Sequence, residues 1–407
     1  MRKIAGVLLL LAAAVLAGAE WPQWRGPARD GVLTSFKGPG EWPERLTRKW
    51  KISAGQGHAS PIFAGGRIFI LTRRQNRETV SSVNPEDGKI VWTQSYEAPY
   101  RMSAAALKHG EGPKSTPVYS DGKVYTLGIS GILSCFEATS GRPVWRKEFS
   151  REFKLTSPLY GSAMSPVVDR GLLIAHVGGN DSGALTAFDA ATGAVKWSWN
   201  GDGPGYASPL VLDLGGARQV VTQSQQNIVG VDAGSGALLW KIAFATPYAQ
   251  NVVTPVVHGD TLIFSGLGKG VMAVSVSRSG GQWSTKQVWS NQDVSMYMSS
   301  PALSGDLLFG FSHKNKGQFF CLDAKTGATK WTGDPRQGDN ASMLLAGGVL
   351  LLLKDDGELI VARASGKGFE PLRRYRVADS ATWAHPLAID SGIVIKDADS
   401  LALWSWQ

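Results

Sequence analysis

Cysteine and histidine are scarce in this chain, with two and six residues among 407. The histidines form no His-x-x-x-His pair and no Cys/His cluster, so the ligand spacing of a zinc site is missing. No G-x-S-x-G segment offers a nucleophile, and GVLTSFKGPG, though glycine-rich, is not a phosphate loop. The net charge of +9 is scattered, with short clusters at Arg73-Arg74-Arg77 and Lys314-Lys316. Without a basic stripe or a recognition motif, a nucleic-acid partner is not expected. Long apolar runs are also wanting. The one run, residues 4–17, falls short of the roughly 20 residues a membrane-spanning helix needs, so no transmembrane segment is expected.

That run has another reading. Arg2 and Lys3 precede it and Ala17-Gly18-Ala19 follows it, the pattern of an export signal cleaved before Glu20. Residues 1–19 are therefore read as a signal peptide, and the mature protein is placed in the periplasm or outside the cell. Its loss lowers the net charge to +7, and no cysteine follows the cleavage point to carry a lipid anchor, so no lipobox is read.

What the chain has in abundance is repetition. A Ser-Pro or similar pair opens an apolar strand at Ser60-Pro61, Thr116-Pro117, Ser165-Pro166, Ser208-Pro209, Thr254-Pro255, Ser300-Pro301 and His385-Pro386, with Ser342-Met343 a degenerate copy. From Pro61 to Pro301 these prolines step by 56, 49, 43, 46 and 46 residues. A turn and an aromatic close each unit, at Trp50, Trp92, Trp145, Trp197, Trp240, Trp289, Trp331 and Tyr375. A period in the forties, with short strands separated by Asp-Gly and Ser-Gly turns, predicts an all-β, eight-bladed propeller of four-stranded blades over residues 46–407. In the second unit the strands are expected at residues 116–120, 123–128, 132–138 and 143–149.

Each closing ring is expected to insert between blades, burying roughly 200 Å² of apolar surface. The small residues of the turn before it should leave room. After His385-Pro386 only three strands follow, while residues 46–53 carry an orphan Trp strand; pairing the two completes the eighth blade and removes two open edges. Cys135 and Cys321 take the same position in the second and sixth units, on opposite sides of the ring. They are expected to be separate buried thiols, since a disulfide needs Cα atoms within about 7 Å. Residues 20–45, with Trp21, Trp24 and Trp42, form an arm expected to pack on the propeller surface. A monomer is expected.

The segments AFDAATGAVKW and CLDAKTGATKW resemble the tryptophan-docking repeat of the pyrroloquinoline quinone (PQQ)-like propeller superfamily, A-x-D-x-x-T-G-x-x-x-W. The likeness covers about residues 46–407. It implies the fold, and it implies one of two activities, because the superfamily holds quinoprotein dehydrogenases and non-catalytic periplasmic propellers such as the outer-membrane assembly lipoprotein. The enzymes would need PQQ, calcium held by inward oxygens and an Asp base. Many of the alcohol dehydrogenases add a pair of adjacent cysteines, which this chain does not have.

Most acidic residues fall in turns (Asp87, Asp121, Asp189, Asp232, Asp260, Asp306, Asp323 and Asp356), where Asp caps the backbone. Glu97, Glu111, Asp181, Asp202, Asp293, Asp339 and Asp379 lie in loops within reach of a channel mouth, but without metal spacing. No catalytic or metal-binding residue is therefore assigned. The recognition surface is sought where first-strand entry loops share a face with an insertion at residues 95–115. Arg101, Lys108, His109, Lys114, Tyr160, Tyr206, Tyr248, Tyr297 and Trp383 are its candidates, with Arg73, Arg74, Lys269, Lys314 and Lys316 nearby. The reading that follows is an exported non-catalytic scaffold of the cell envelope with a protein or peptide partner and no cofactor. The alternative is a quinoprotein alcohol or sugar dehydrogenase with a divergent site for PQQ and calcium. A sugar- or peptide-binding accessory protein stands third.

Overall fold

The structure, a computed structural model, describes residues 20–407; the expected signal peptide lies outside the described residues. Eight antiparallel sheets follow one another along the chain, and first strands of neighbouring blades touch, so they surround a common axis. The fourth blade shows the plan, with strands Leu210–Leu214, Ala217–Gln223, Asn227–Asp232 and Leu238–Ala243 paired in that order. In the second blade the strands are Val118–Ser120, Lys123–Leu127, Leu133–Glu137 and Pro143–Lys147, each within two residues of the expected bounds at either end.

The repeat's polar letters build its last turn. The Asp232 carboxylate accepts the N–H groups of Gly234 (3.1 Å) and Ser235 (2.8 Å), and Asp189 does the same for Ala191 and Thr192. The turn glycine then takes a positive φ, +73° at Gly236, where a Cβ is disfavoured. It also receives the ring of the blade before it. A Cβ on Gly236 would stand 2.5 Å from the Trp197 ring, and one on Gly141 2.5 Å from Trp92. The indole N–H donates to the same turn: Trp92 to the Ala138 carbonyl (2.9 Å), Trp145 to Ala190 (3.0 Å), Trp197 to Ala233 (3.1 Å) and Trp289 to Ala324 (3.0 Å). Trp50 reaches Pro85 and Trp331 reaches Ser365. The room thus comes from the following blade, not from the ring's own preceding turn. Trp240 and Tyr375 depart from the pattern. The fifth blade ends in a long Gly280-Gly281 hairpin without the Asp turn, so Trp240 donates to Gln219 of its own blade (2.6 Å). Tyr375 donates to the Pro43 carbonyl of the arm (2.6 Å).

The Ser/Thr-Pro pairs line the axis and are buried. The Thr116 N–H donates to the Ser165 hydroxyl (2.9 Å), Ser165 to Ser208 (2.9 Å), Ser208 to Thr254 (3.2 Å) and Thr254 to Ser300 (3.0 Å). Ser60 donates to Thr116 (3.2 Å), and His385 to Ser60 (2.9 Å), which carries the series across the join between the chain's two ends. At the outer side of that join Thr47–Ser53 pairs antiparallel with Ser400–Ser405, Trp50 opposite Leu403. Cys135 and Cys321, both buried and free, sit opposite Trp145 and Trp331, and burial pushes each thiol up to about 12.

The arm differs from expectation. Its first part enters the channel instead of lying on the outer surface. Trp21 pairs with Phe63 of the first blade, and the Pro22 carbonyl accepts the Tyr119 N–H of the second. Arg29 donates to Ser165 and Pro166 of the third, and Arg25 to the Pro301 carbonyl of the sixth. Val32–Leu33 then adds a parallel fifth strand to the seventh blade beside Leu345 and Ala346, so that sheet is not four-stranded. Arg25 and Arg29 are almost fully buried, and desolvation lowers their guanidinium pKa values to about 10 and about 9. Only the later part follows the surface, where Phe36 and Trp42 pack on Trp406.

Two glycines with the same φ of +73° separate backbone strain from ring contact. Gly122→Ala, with open space around it, should lower stability by about 1 kcal/mol from the left-handed conformation alone. Gly236→Ala should lose at least about 1 kcal/mol more, because the Trp197 ring must move. Equal losses in urea denaturation would show that the ring contact contributes nothing.

Candidate functional site

One cavity of about 500 Å³ opens at the channel mouth. Its floor is Trp24 of the arm, whose indole N–H donates to Thr254 (3.3 Å) and whose ring meets His385 edge-on at 4.5 Å. Arg25 and Arg29, next in the arm, bond to the sixth and third blades, so the arm crosses the axis, and the cavity narrows as a funnel toward Trp24.

The insertion forms one wall, and the sequence fixes how it is held. Arg73 and Glu78, on neighbouring strands of the first blade, are buried. Arg73 donates to the Ala98 carbonyl at the start of the insertion (2.8 Å). The Glu78 carboxylate accepts Tyr96 Oη–H (2.8 Å) and the Ile129 N–H (2.6 Å), tying the first blade to the second; burial raises its pKa. A short 3₁₀ turn at Ala104–His109 follows. Gly112 then lies so close to Gly57 that a Cβ would stand 2.4 Å from its Cα, and the Pro113 carbonyl accepts the N–H groups of His58 (2.8 Å) and Ala59 (3.0 Å). The next residue is Lys114, aimed inward, its ammonium donating to the Tyr160 carbonyl (2.8 Å). Burial lowers its pKa to about 8.

Aromatic residues make the remaining walls. The Tyr160 N–H donates to the Tyr206 hydroxyl (3.3 Å), and the two rings lie 6.0 Å apart. Tyr297 donates to the Gln250 side-chain oxygen. His109 stands edge-on to Trp383 at 4.6 Å, and the His109 carbonyl is bonded to His58 Nε2 (3.1 Å). At the rim Lys108 pairs with Asp339 (3.0 Å), both side chains well exposed.

Of the nine candidate residues, seven line this cavity: Lys108, His109, Lys114, Tyr160, Tyr206, Tyr297 and Trp383. Arg101 and Tyr248 do not; both are exposed, Tyr248 in the turn Pro247–Ala249 with φ +59°. Among the nearby basic residues Lys316 lines the cavity. Arg73 is not a surface group at all, being buried as the clamp of the insertion, while Arg74 donates to Ser53 (2.7 Å) and Lys314 to Gln292. Trp24, His58 and His313 line the site without having been singled out for it. Two of the histidines, far apart in sequence, come together here, His58 with His109 of the insertion, their rings 6.4 Å apart. Trp24 carried a signal in the arm's WPQWR segment, which composition alone could not aim at the axis.

Among the described residues Asp339 is the one carboxylate lining the cavity, and Lys108 neutralises it. Among the described residues no group of three or more His, Cys, Asp or Glu side chains is placed to hold a metal ion. A calcium ion needs six to eight oxygen ligands. This donor set does not fit it, and the walls present cations where calcium-held PQQ would need inward carboxylate and amide oxygens.

Residues 76–333 match the PQQ-like repeat family described as outer membrane protein assembly factor BamB. The chain is 27% identical to the outer membrane protein assembly factor BamB of Shewanella oneidensis over 268 residues, covering 63% of this chain and 65% of that protein, less than two thirds of its length. Among solved structures it is similar to BamB from Moraxella catarrhalis, with a TM-score of 0.61 and 16% identity over 88% of this chain and 99% of that one. It is also similar to quinohemoprotein alcohol dehydrogenase from Comamonas testosteroni, with a TM-score of 0.67 and 14% identity over 95% of this chain and 80% of that one. At these identities the structural likeness shows the shared propeller.

The site's imidazoles give a pH prediction. Desolvation, helped by Lys396, His109 and Lys114, lowers His58 to about 3, and desolvation with Lys114 and Lys108 lowers His109 to about 4. An unfolded chain binds these protons below about 6.5 while the folded one refuses them, so stability is full above that pH and is lost on acidification toward 4. His58→Gln keeps a donor for the His109 carbonyl. Between pH 7 and pH 5 it should lose about 1–2 kcal/mol less than the parent, allowing for partial exposure. Parallel losses in denaturant titrations at the two pH values would contradict this.

Proposed function

The chain belongs to the family described as outer membrane protein assembly factor BamB, and from that premise we propose that it is an exported, non-catalytic scaffold of the cell envelope. It works as a monomer in the periplasm or outside the cell and holds a protein or peptide partner at the channel mouth. The observation that carries this reading is the convergence of insertion and entry-loop residues on one funnel, while the recurring letters of the repeat serve contacts between blades. Binding groups on loops held by a rigid scaffold are the usual arrangement of a recognition site. Three lysines against one carboxylate, set among tyrosines and a tryptophan, suit recognition better than bond-making. The relatives' name, an assembly factor, agrees with a partner in the envelope. The oxidoreductase alternative is disfavoured by the donor set of the same funnel.

Affinity capture of the whole protein from envelope extracts tests the reading. Lys108→Ser with Lys316→Ser and Tyr160→Ala should leave the fold intact and reduce recovery of the partner at least about tenfold, more at low salt. Lys325→Ser with Lys196→Ser, on a turn and at the start of a fourth strand at the opposite face, should leave recovery unchanged. The reverse pattern would move the working surface to the other side of the ring.

A further inference from the structure

We infer that the funnel receives the free C-terminal end of a partner chain, its α-carboxylate going to Lys114 and its last apolar side chain to the aromatic walls. The inference rests on the reading above and names the chemistry of the partner. Its first support is shape. Trp24 floors the cavity while Arg25 and Arg29 bond to the sixth and third blades, so a chain end fits it directly, whereas an internal segment would have to turn and leave by the same mouth. About 500 Å³ is the size of a pocket for a drug-sized molecule, which is two or three residues of peptide.

The second support is charge. Lys114 donates one hydrogen bond, to the Tyr160 carbonyl, and an ammonium has three to give. Among the described residues no carboxylate pairs with Lys114 or with Lys316. Asp339 is taken by Lys108, and the nearby Glu111 accepts the Met102 N–H (3.2 Å). The insertion is built to hold Lys114 there, through the Gly57–Gly112 contact and the Pro113 carbonyl. A half-enclosed cation without a counter-charge is costly unless a ligand supplies one.

The third support is the company the lysine keeps. Tyr160, Tyr206, Tyr297 and Trp383 line the same cavity and bring apolar ring surface to it. An Asp or Glu on a partner's loop would bring its carboxylate and an apolar side chain from two different residues. The last residue of a chain carries both on one Cα.

The test uses fluorescein-labelled hexapeptides Ser-Gly-Ser-Gly-Leu-Phe, one with a free C-terminal carboxylate and one amidated, titrated with the full protein by anisotropy. The free acid should bind at least about tenfold tighter than the amide, the worth of one charge-assisted hydrogen bond. Lys114→Met should abolish that difference and Lys114→Arg should restore part of it, with melting curves confirming that both variants fold. Equal binding of acid and amide, or no binding of either, overturns the inference. So does equal binding of a peptide carrying Leu-Phe-Asp internally. N-acetylphenylalanine competing as well as the whole peptide would assign the funnel to a small aromatic acid and not to a chain end. None of these results touches capture of a partner by the mouth face, so failure here is distinguishable from failure of the scaffold reading.

Discussion

A run of hydrogen bonds around the axis is the constraint on which the rest of the structure depends. Each Ser or Thr that precedes a first-strand proline accepts the N–H of its counterpart in the preceding blade. These N–H groups lie just before their strands and are buried, so no sheet partner would satisfy them. A buried N–H without a partner costs about 1–3 kcal/mol, and here one hydroxyl in each of six blades avoids it while setting the spacing between blades. The run breaks around the seventh blade, where Ser342 is the degenerate copy. There the arm takes over, with Arg25 on the Pro301 carbonyl and Val32–Leu33 on the blade's first strand.

The division of labour follows radially. At the outside, the indoles of Trp50, Trp92, Trp145, Trp197 and Trp289 lie on the next blade's turn glycine and donate to that turn's backbone. At the inside, hydroxyls and the arm fill the axis. Neither task takes up the insertion or the entry-loop tyrosines, a freedom on which the proposed recognition role rests. The insertion uses that freedom, since Arg73 and Glu78 anchor its base from within the core and Gly112 presses its far end on Gly57. Lys114 is thus held in place by contacts on both sides of the loop.

The strands, the eight-fold count and the closing pair were legible because the turn-and-Trp repeat is local and periodic. Direction across space was not. The hydroxyl before each proline was visible in the sequence, but its partner lies 43 to 56 residues on, beyond any local pattern. For the same reason the glycine that receives Trp197 belongs to the next unit, at Gly236. The arm's tryptophans marked it as packed, yet nothing in WPQWRGPARDG tells channel from outer surface. In the site, Tyr160, Tyr206 and Tyr297 were found because they stand in the loops just before the strand-opening pairs, five, two and three residues ahead of Ser165, Ser208 and Ser300. Tyr248 shares that rough position, but its turn lifts it into solvent. Arg73 misled because a basic residue at a strand end reads as exposed, whereas this one is sealed beneath the insertion it holds.

Hydrogen exchange resolved to single amides by electron-transfer fragmentation tests the inner ring most directly. The amides of Thr116, Ser165, Ser208 and Thr254 lie outside any strand ladder, so only the neighbouring hydroxyl protects them. They should fall in the slowest class, exchanging only when the whole ring opens, and Ser165→Ala should speed Thr116 alone among them. Exchange of these amides as fast as that of exposed loops would contradict the account.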